Sequence, residues 1–246
     1  MRFTRSDGAG VREPDRVTDS ENGRRLHAVD DALLRRREAI SDLGDALRLL
    51  IEHATATEAP TEELRRAAER IRQAAAPLGE RARGRHEPPS ADDMRAGVRL
   101  YNPVTGAGSA FAPPLEIHQE GEITVGACTL GLAFEGPPSY AHGGVSAMLL
   151  DQMLGYAAGA SGNPGMTVRL DTGYRRPVPL LTPLRLTAEV VDVDGRRVTV
   201  AGSIATAAEP GEILVAATGV FVGLRAEQAR RLFGAVAGRG EESRAG

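Results

Sequence analysis

The sequence predicts an α+β chain: an antiparallel sheet with one long helix on its concave face, preceded by an N-terminal helical hairpin. Three observations carry this reading. From about residue 95 the apolar pattern is mainly period two, as in half-buried strands. One run, Gly143 to Ala160, is apolar almost all round, as buried helices are. Before residue 80, apolar residues recur at alternating three- and four-residue spacings.

Taken in order, residues 1–23 are polar and rich in Gly, Asp and Arg, a composition that predicts disorder. Leu26, Val29, Leu33, Arg36, Ile40, Leu43, Leu47 and Leu50 then form a heptad-like stripe interrupted by one Arg. After the break "ATATEAP", Thr61 reads as the N-cap of a second helix, with Glu62 and Glu63 in its first turn. Its stripe (Leu64, Ala68, Ile71, Ala75, Leu78) is narrower. The hairpin has too little apolar surface for a core of its own, so it is expected to pack on the rest of the chain or on a partner subunit. "GERARGRHEPPSADD" (79–93) reads as a linker, which closes the region 24–95.

The main domain is expected over 96–225. "LEIHQEG" and "EITVGACTLGLAF" make a strand pair, and the central helix follows. Four strands then come in a meander: "MTVRLDTGYRR", "LRLTAEVVDVDG", "RRVTVAGSIATA" and "EILVAATGVFVGL". Asp194-Gly195 and "EPGE" (209–212) supply hairpin turns. Residues 226–246 are read as a short helix (226–236) and a loose tail after Gly238.

Length leaves room for one large domain, or a domain with an appendage. Hydrophobic residues are 41% and charged residues 26%, ordinary for a soluble globular protein. A net charge of −3 argues against a nucleic-acid binder driven by phosphate neutralisation. Every basic side chain is Arg, which codon bias explains more simply than anion recognition. Cys128 is the only cysteine, so no intrachain disulfide forms and nothing argues for secretion. No stretch approaches the ~18 apolar residues of a membrane helix. The expected compartment is the cytoplasm. His27, His53, His86 and His118 are scattered without metal-ligand spacing, so neither metal nor cofactor is expected.

Asp151 stands out. Met148, Leu149, Leu150, Met153 and Leu154 surround it on the helix, and an ionised carboxylate buried without a partner is costly. Either that side of the helix meets solvent or the charge has a chemical use.

"FEGPPSYAHGGVSAMLLDQMLG" resembles the signature of PaaI-type acyl-CoA thioesterases of the hotdog-fold superfamily. "TVRLDTGYRRPVPLLTPLRLTAEVV" resembles the strand and turn that follow the helix in that family. The likeness covers roughly residues 100–224 and leaves the N-terminal helices outside. It implies a sheet wrapped around a central helix, a homodimer whose sheets join (or a homotetramer of such pairs), and active sites at the dimer interface. The implied reaction is hydrolysis of acyl-CoA to a carboxylic acid and free coenzyme A.

Thioester hydrolysis needs a polarised carbonyl and an activated nucleophile. Gly143 and Gly144 put unobstructed backbone N–H groups at a helix N-terminus, a natural oxyanion hole. Asp151 is the candidate base or nucleophile. Eight helical residues rise ~12 Å, too far for Asp151 to serve the glycines of its own chain. The resemblance implies that the partner's Asp151 faces them instead. It also places Thr167 where relatives carry a water-orienting Ser or Thr. His142 would orient the turn or the thioester, with a structural role as the other reading. Ser139 and Tyr140 are the polar candidates in the preceding loop. Arg175 and Arg176 suit coenzyme A phosphates or are solvated edge-strand arginines. The alternative function is a non-catalytic acyl-CoA-binding or assembly protein on the same scaffold.

Overall fold

The computed structural model describes residues 19–85, 87–93, 97–225, 227, 228 and 231, and for 19–30 the helical backbone alone. Helix α1 spans Asp19–Ala56 and α2 spans Thr61–Gly79. Strands β1 (Glu116–Glu120) and β2 (Ile123–Thr129) precede helix α3 (Gly143–Ala160). Strands β3 (Met166–Tyr174), β4 (Pro183–Asp194), β5 (Arg197–Thr206) and β6 (Val215–Val222) follow. No helix of the described residues is long and apolar enough to cross a membrane.

The six strands form one antiparallel sheet in the order β1-β2-β4-β5-β6-β3. Helix α3 lies across one face of it, as the sequence predicts for a hotdog fold. Leu149, Leu150, Met153 and Leu154 are fully buried there, against Leu184, Leu186, Val198, Val200, Ile204, Val215 and Phe221. Full burial of such side chains is worth ~1.5–3 kcal/mol each, so this contact dominates the domain's stability. Cys128 belongs to the same core, and burial pushes its thiol up to about 12, which keeps it protonated and inert.

One strand is not where a simple meander puts it. β3 pairs only with β6, at the sheet edge opposite β1, with Thr167 opposite Phe221 and Tyr174 opposite Val215. The cause is α3. It carries the chain from the β2 side of the sheet to the β6 side, so β3 starts at the far edge and residues 175–182 must return to β4. This return segment runs beneath the loop before α3. The Ala141 N–H donates to the Val178 carbonyl, Leu180 N–H to Ser139, and Leu181 N–H to Leu130. Among the described residues β3 has no partner on its outer edge, and its side chains are mostly exposed, Met166, Val168 and Tyr174 among them.

Other boundaries differ for identifiable reasons. β2 stops at Thr129, and Leu132–Phe134, read as strand from its apolar content, forms a 3₁₀ turn instead. The N-cap of α2 is Pro60 rather than Thr61, with no side-chain cap bond; the Pro60 carbonyl accepts from Glu63 and Leu64. Helix α1 begins within the stretch read as disordered; residues 1–18 lie outside the described residues. Of the short helix expected over 226–236, only 227, 228 and 231 are described, and the tail lies outside them.

The two N-terminal helices form, but they do not close on each other as a packed hairpin: α2 has no buried residue. Helix α1 instead seats on residues 91–109, read in part as a linker. Ile40 packs with Ala91 and Leu100 in a small second core. Arg37 Nε donates to the Ala91 carbonyl (2.9 Å), and Arg48 donates to the carbonyls of Ala107 (2.8 Å) and Ser109 (2.6 Å). The same segment reaches α3, where Val104 joins the main core and Asn102 Nδ2 donates to Gln152 (3.2 Å).

Gly44 tests this seating. A Cβ there would lie 2.1 Å from the Ala107 carbonyl oxygen. Glycine to alanine inside a helix normally gains up to ~1 kcal/mol. Here a backbone atom blocks the methyl, so Gly44→Ala is expected to lower stability by ~1–3 kcal/mol in denaturant unfolding. A raised midpoint would show that α1 does not sit on this segment.

Candidate active site

The loop from Glu135 to His142 turns the chain out of the 3₁₀ turn and into α3. Glu135 and Ala141 form a bridge, the Gly136 N–H donates to the Tyr140 carbonyl, and the Glu135 carboxylate accepts from the Ser139 N–H at 2.8 Å. Ser139 is held in the left-handed region (φ 71°), uncommon for a residue with a side chain. Ser139 thus shapes the loop through its backbone. Tyr140 bridges to Pro179 of the return segment and keeps its ring half exposed.

His142 is the N-cap of α3. Its backbone is extended, and Nδ1 accepts from the Gly144 N–H at 3.0 Å. A nitrogen that accepts carries no proton, so the ring is the neutral tautomer with its hydrogen on Nε2. One of the two expected oxyanion donors, Gly144, is therefore engaged. The Gly143 N–H, first of the helix, has no acceptor among the described residues. Tyr174, from the end of β3, donates its hydroxyl to the Gly143 carbonyl at 2.9 Å and fixes that peptide's orientation.

Beside this helix start lies a cleft of about 320 Å³, lined by Tyr140, Gly143, Ser146, Tyr174, Arg175 and Arg176 among others. The backbone N–H groups of both arginines donate to the Leu214 carbonyl, which pins the segment to the start of β6. The Arg176 guanidinium pairs with Glu212, whereas Arg175 also lines a groove with Thr187 and Ser203.

Asp151 lies two turns along α3 and is half-buried. Its Oδ1 accepts from the Thr167 hydroxyl at 2.9 Å; its other oxygen has no partner among the described residues. A carboxylate held at one oxygen and open at the other is suited to proton abstraction or attack. It stands apart from the Gly143 cleft on the same chain. β3 therefore carries one half of the site at each end: Thr167 with Asp151, Tyr174 with Gly143.

The structure thus brings Gly143, Tyr140, Arg175 and Arg176 together and pairs Asp151 with Thr167. It also adds residues that sequence reasoning passed over. Tyr174 sits inside a quoted stretch, yet nothing local marks its hydroxyl as a partner of Gly143. Glu135 lies just before the residues weighed as polar helpers. Among the described residues, no three His, Cys, Asp or Glu side chains converge on a metal-sized site.

A thioesterase superfamily model matches residues 139–210, which contain both halves of this arrangement. The crystal structure of a thioesterase superfamily protein is 38% identical, with a TM-score of 0.65, covering 74% of this chain and 94% of that one. Coverage of that extent exceeds what the region from β1 onward could supply, so the likeness reaches into residues before the sheet. Acyl-coenzyme A thioesterase THEM4 of Mus musculus is 31% identical over 98 residues, 40% of this chain and 42% of that protein. The Bos taurus form is 29% identical over 98 residues, 40% of each. The chain spans about two fifths of the length of these curated relatives.

Replacing the cap should show what His142 holds. His142→Ala is expected to cost ~0.5–2 kcal/mol and to speed hydrogen exchange at the Gly144 amide. His142→Asn, which restores a side-chain acceptor, should recover most of the loss. Unchanged exchange in the alanine variant would remove the ring from this role.

Proposed function

This chain belongs to the thioesterase superfamily, and on that premise we propose that it hydrolyses acyl-coenzyme A to a carboxylic acid and free coenzyme A. Asp151 serves as general base or nucleophile, and the N-terminus of α3 receives the oxyanion. The observation that carries this reading is the division of polar groups along β3, with Asp151 and Thr167 at one end and Gly143 and Tyr174 at the other.

A second β3 laid antiparallel on the unpaired edge, about a two-fold axis, sets the Thr167 end of one chain beside the Tyr174 end of its partner. The partner's Asp151 then faces this chain's Gly143, and each pair builds two complete sites. The proposed assembly is therefore a homodimer or a tetramer of such pairs, and a lone chain is inactive. A single buried cysteine and this substrate class accord with a cytoplasmic protein.

In the reaction, the Gly143 N–H donates to the thioester oxygen as negative charge develops there. Gly144 acts indirectly, through the His142 cap that fixes the turn, and Tyr174 holds the Gly143 carbonyl, on the peptide that follows the donor N–H. Asp151 either takes the proton of the attacking water or attacks the carbonyl carbon itself to form an anhydride that water then opens. In both routes the C–S bond breaks; in the first Asp151 returns its proton to the leaving sulfur, and in the second the thiolate takes one from water, so that coenzyme A is released as the thiol. Thr167 orients the carboxylate and, with it, the water. Tyr140 borders the acyl-CoA cleft, and Ser139 sets its loop. Arg175, which has no ion-pair partner among the described residues, is the better placed of the two arginines for a phosphate, since Arg176 is paired with Glu212.

Thiol release from a panel of acyl-CoAs tests the proposal, and the buried Cys128 will not contribute to the signal. Asp151→Asn and Asp151→Ala are expected to lower kcat by ~10²-fold or more. Single turnover in ¹⁸O-water detects an anhydride opened at the Asp151 carbonyl, which leaves label in Asp151; opening at the acyl carbon labels the product acid, as direct attack by water does. Equal rates in wild type and variants would overturn the assigned chemistry. No release from any substrate by an intact dimer would turn the reading to a non-catalytic acyl-CoA-binding protein.

A further inference from the structure

Helix α1 lies outside the family match at residues 139–210, yet one of its side chains reaches the 3₁₀ turn that leads into the active-site loop. The Glu52 carboxylate accepts from the Leu132 N–H (Oε1, 3.0 Å) and the Ala133 N–H (Oε2, 3.4 Å), residues 80 and 81 positions away. These amides open the 3₁₀ turn Leu132–Phe134. The Phe134 carbonyl accepts from the His142 N–H at 2.9 Å, and His142 Nδ1 holds the Gly144 N–H. A short series of hydrogen bonds thus runs from α1 to the first turn of α3.

We propose that Glu52 is a positioning residue for the thioester-polarising turn, so that α1 is a working part of the active site rather than a packing accessory. The other anchors of α1 hold a different segment: Arg37, Ile40 and Arg48 all engage residues 91–109. Glu52 is therefore not needed to keep the helix seated. Its specific effect is to hold from the N–H side two peptides that are otherwise fixed only through their carbonyls, Gly131 accepting from Phe134 and Leu132 from Glu135, and with them the carbonyl that receives His142. Misplacement of a reacting group by an ångström costs up to ~10²-fold in rate, so a small shift transmitted to Gly143 would be felt in turnover. The inference rests on the thioesterase reading for its kinetic consequence, but not for the coupling itself.

Gly131 supplies an independent way to disturb the contact. Its backbone (φ −86°, ψ −175°) is one that any residue adopts. A Cβ there would lie 2.4 Å from Glu52 Oε2 and 2.6 Å from Oε1. Gly131→Ala should leave the backbone undisturbed and push the flexible carboxylate off its amides. The two substitutions remove the same contact from opposite sides.

The full chain is compared as wild type, Glu52→Ala, Glu52→Gln, Gly131→Ala and the Glu52→Ala/Gly131→Ala double variant. Acyl-CoA turnover and residue-resolved amide exchange are measured for each. Glu52→Ala and Gly131→Ala are each expected to lower kcat by ~10-fold or more with KM within about twofold. The double variant should be no worse than Glu52→Ala alone, as two changes acting on one contact do not add. Glu52→Gln, with a single acceptor oxygen, should fall between. Exchange should quicken at Leu132 and Ala133 and also at His142 and Gly144, while β4 and β5 stay protected. Faster exchange confined to 132–133 with kcat unchanged, or additive losses in the double variant, would overturn the proposal. Should wild type release no thiol, the functional reading fails and exchange decides the coupling: quickening at His142 and Gly144 upholds it, and its absence sinks it.

Discussion

Leu149, Leu150, Met153 and Leu154 lose all contact with water beneath the sheet, and the rest of the molecule is arranged around that loss. A helix committed to the sheet on this side leaves its remaining face as the place for a charged group. Asp151 takes that place, half-buried and tied to Thr167 on the neighbouring edge strand. The same commitment fixes where α3 begins. Its first turn emerges at the mouth of a cleft, where the loop before it and the segment after β3 are knitted together by backbone hydrogen bonds. Stability and chemistry are joined here in one element: the helix that closes the core also aims an unoccupied amide outward.

The features legible in the sequence are those with a local signature. The bounds of α3 follow from a run apolar on all sides, and the β4–β5 hairpin from Asp194-Gly195. What the residues could not announce depends on neighbours far along the chain. Leu132–Phe134 looks like strand because it is apolar, and becomes a turn where Glu52 meets its amides. Leu64, Ile71 and Leu78 give α2 a stripe, yet periodicity does not say what the stripe faces, and in this chain it faces outward. The position of β3 beside β6 follows from the path of α3 across the sheet, which strand patterning does not encode.

The site divides in the same way. Gly143 and Asp151 stand out by residue type and spacing, as a glycine pair at a helix start and a carboxylate among leucines, whereas Thr167 is reached only through the family resemblance. The bonds that refine them were not visible. That His142 occupies the Gly144 amide, leaving Gly143 as the open donor, is a matter of one ring's orientation. Tyr174 and Glu52 enter through hydroxyl and carboxylate contacts across 31 and 80 residues of sequence. Tyr174 opens the Tyr-Arg-Arg-Pro stretch, but nothing in that stretch foretells the contact, and Glu52 belongs to no short motif.

Those long separations bear on how the molecule forms. The helix start is held by Glu52, by the Leu130–Leu181 and Ser139–Leu180 bonds, and by Tyr174, while residues 175 and 176 hang from Leu214. Contacts of such range are slow to form, because chain entropy must be surrendered before they return anything. α3 and the β4–β5 hairpin can take shape from neighbouring residues, whereas the cleft requires the return segment and the last strand both in place. During refolding, secondary structure should therefore run ahead of the site. A chain synthesised only as far as β5 has every candidate catalytic residue and no cleft to put them in.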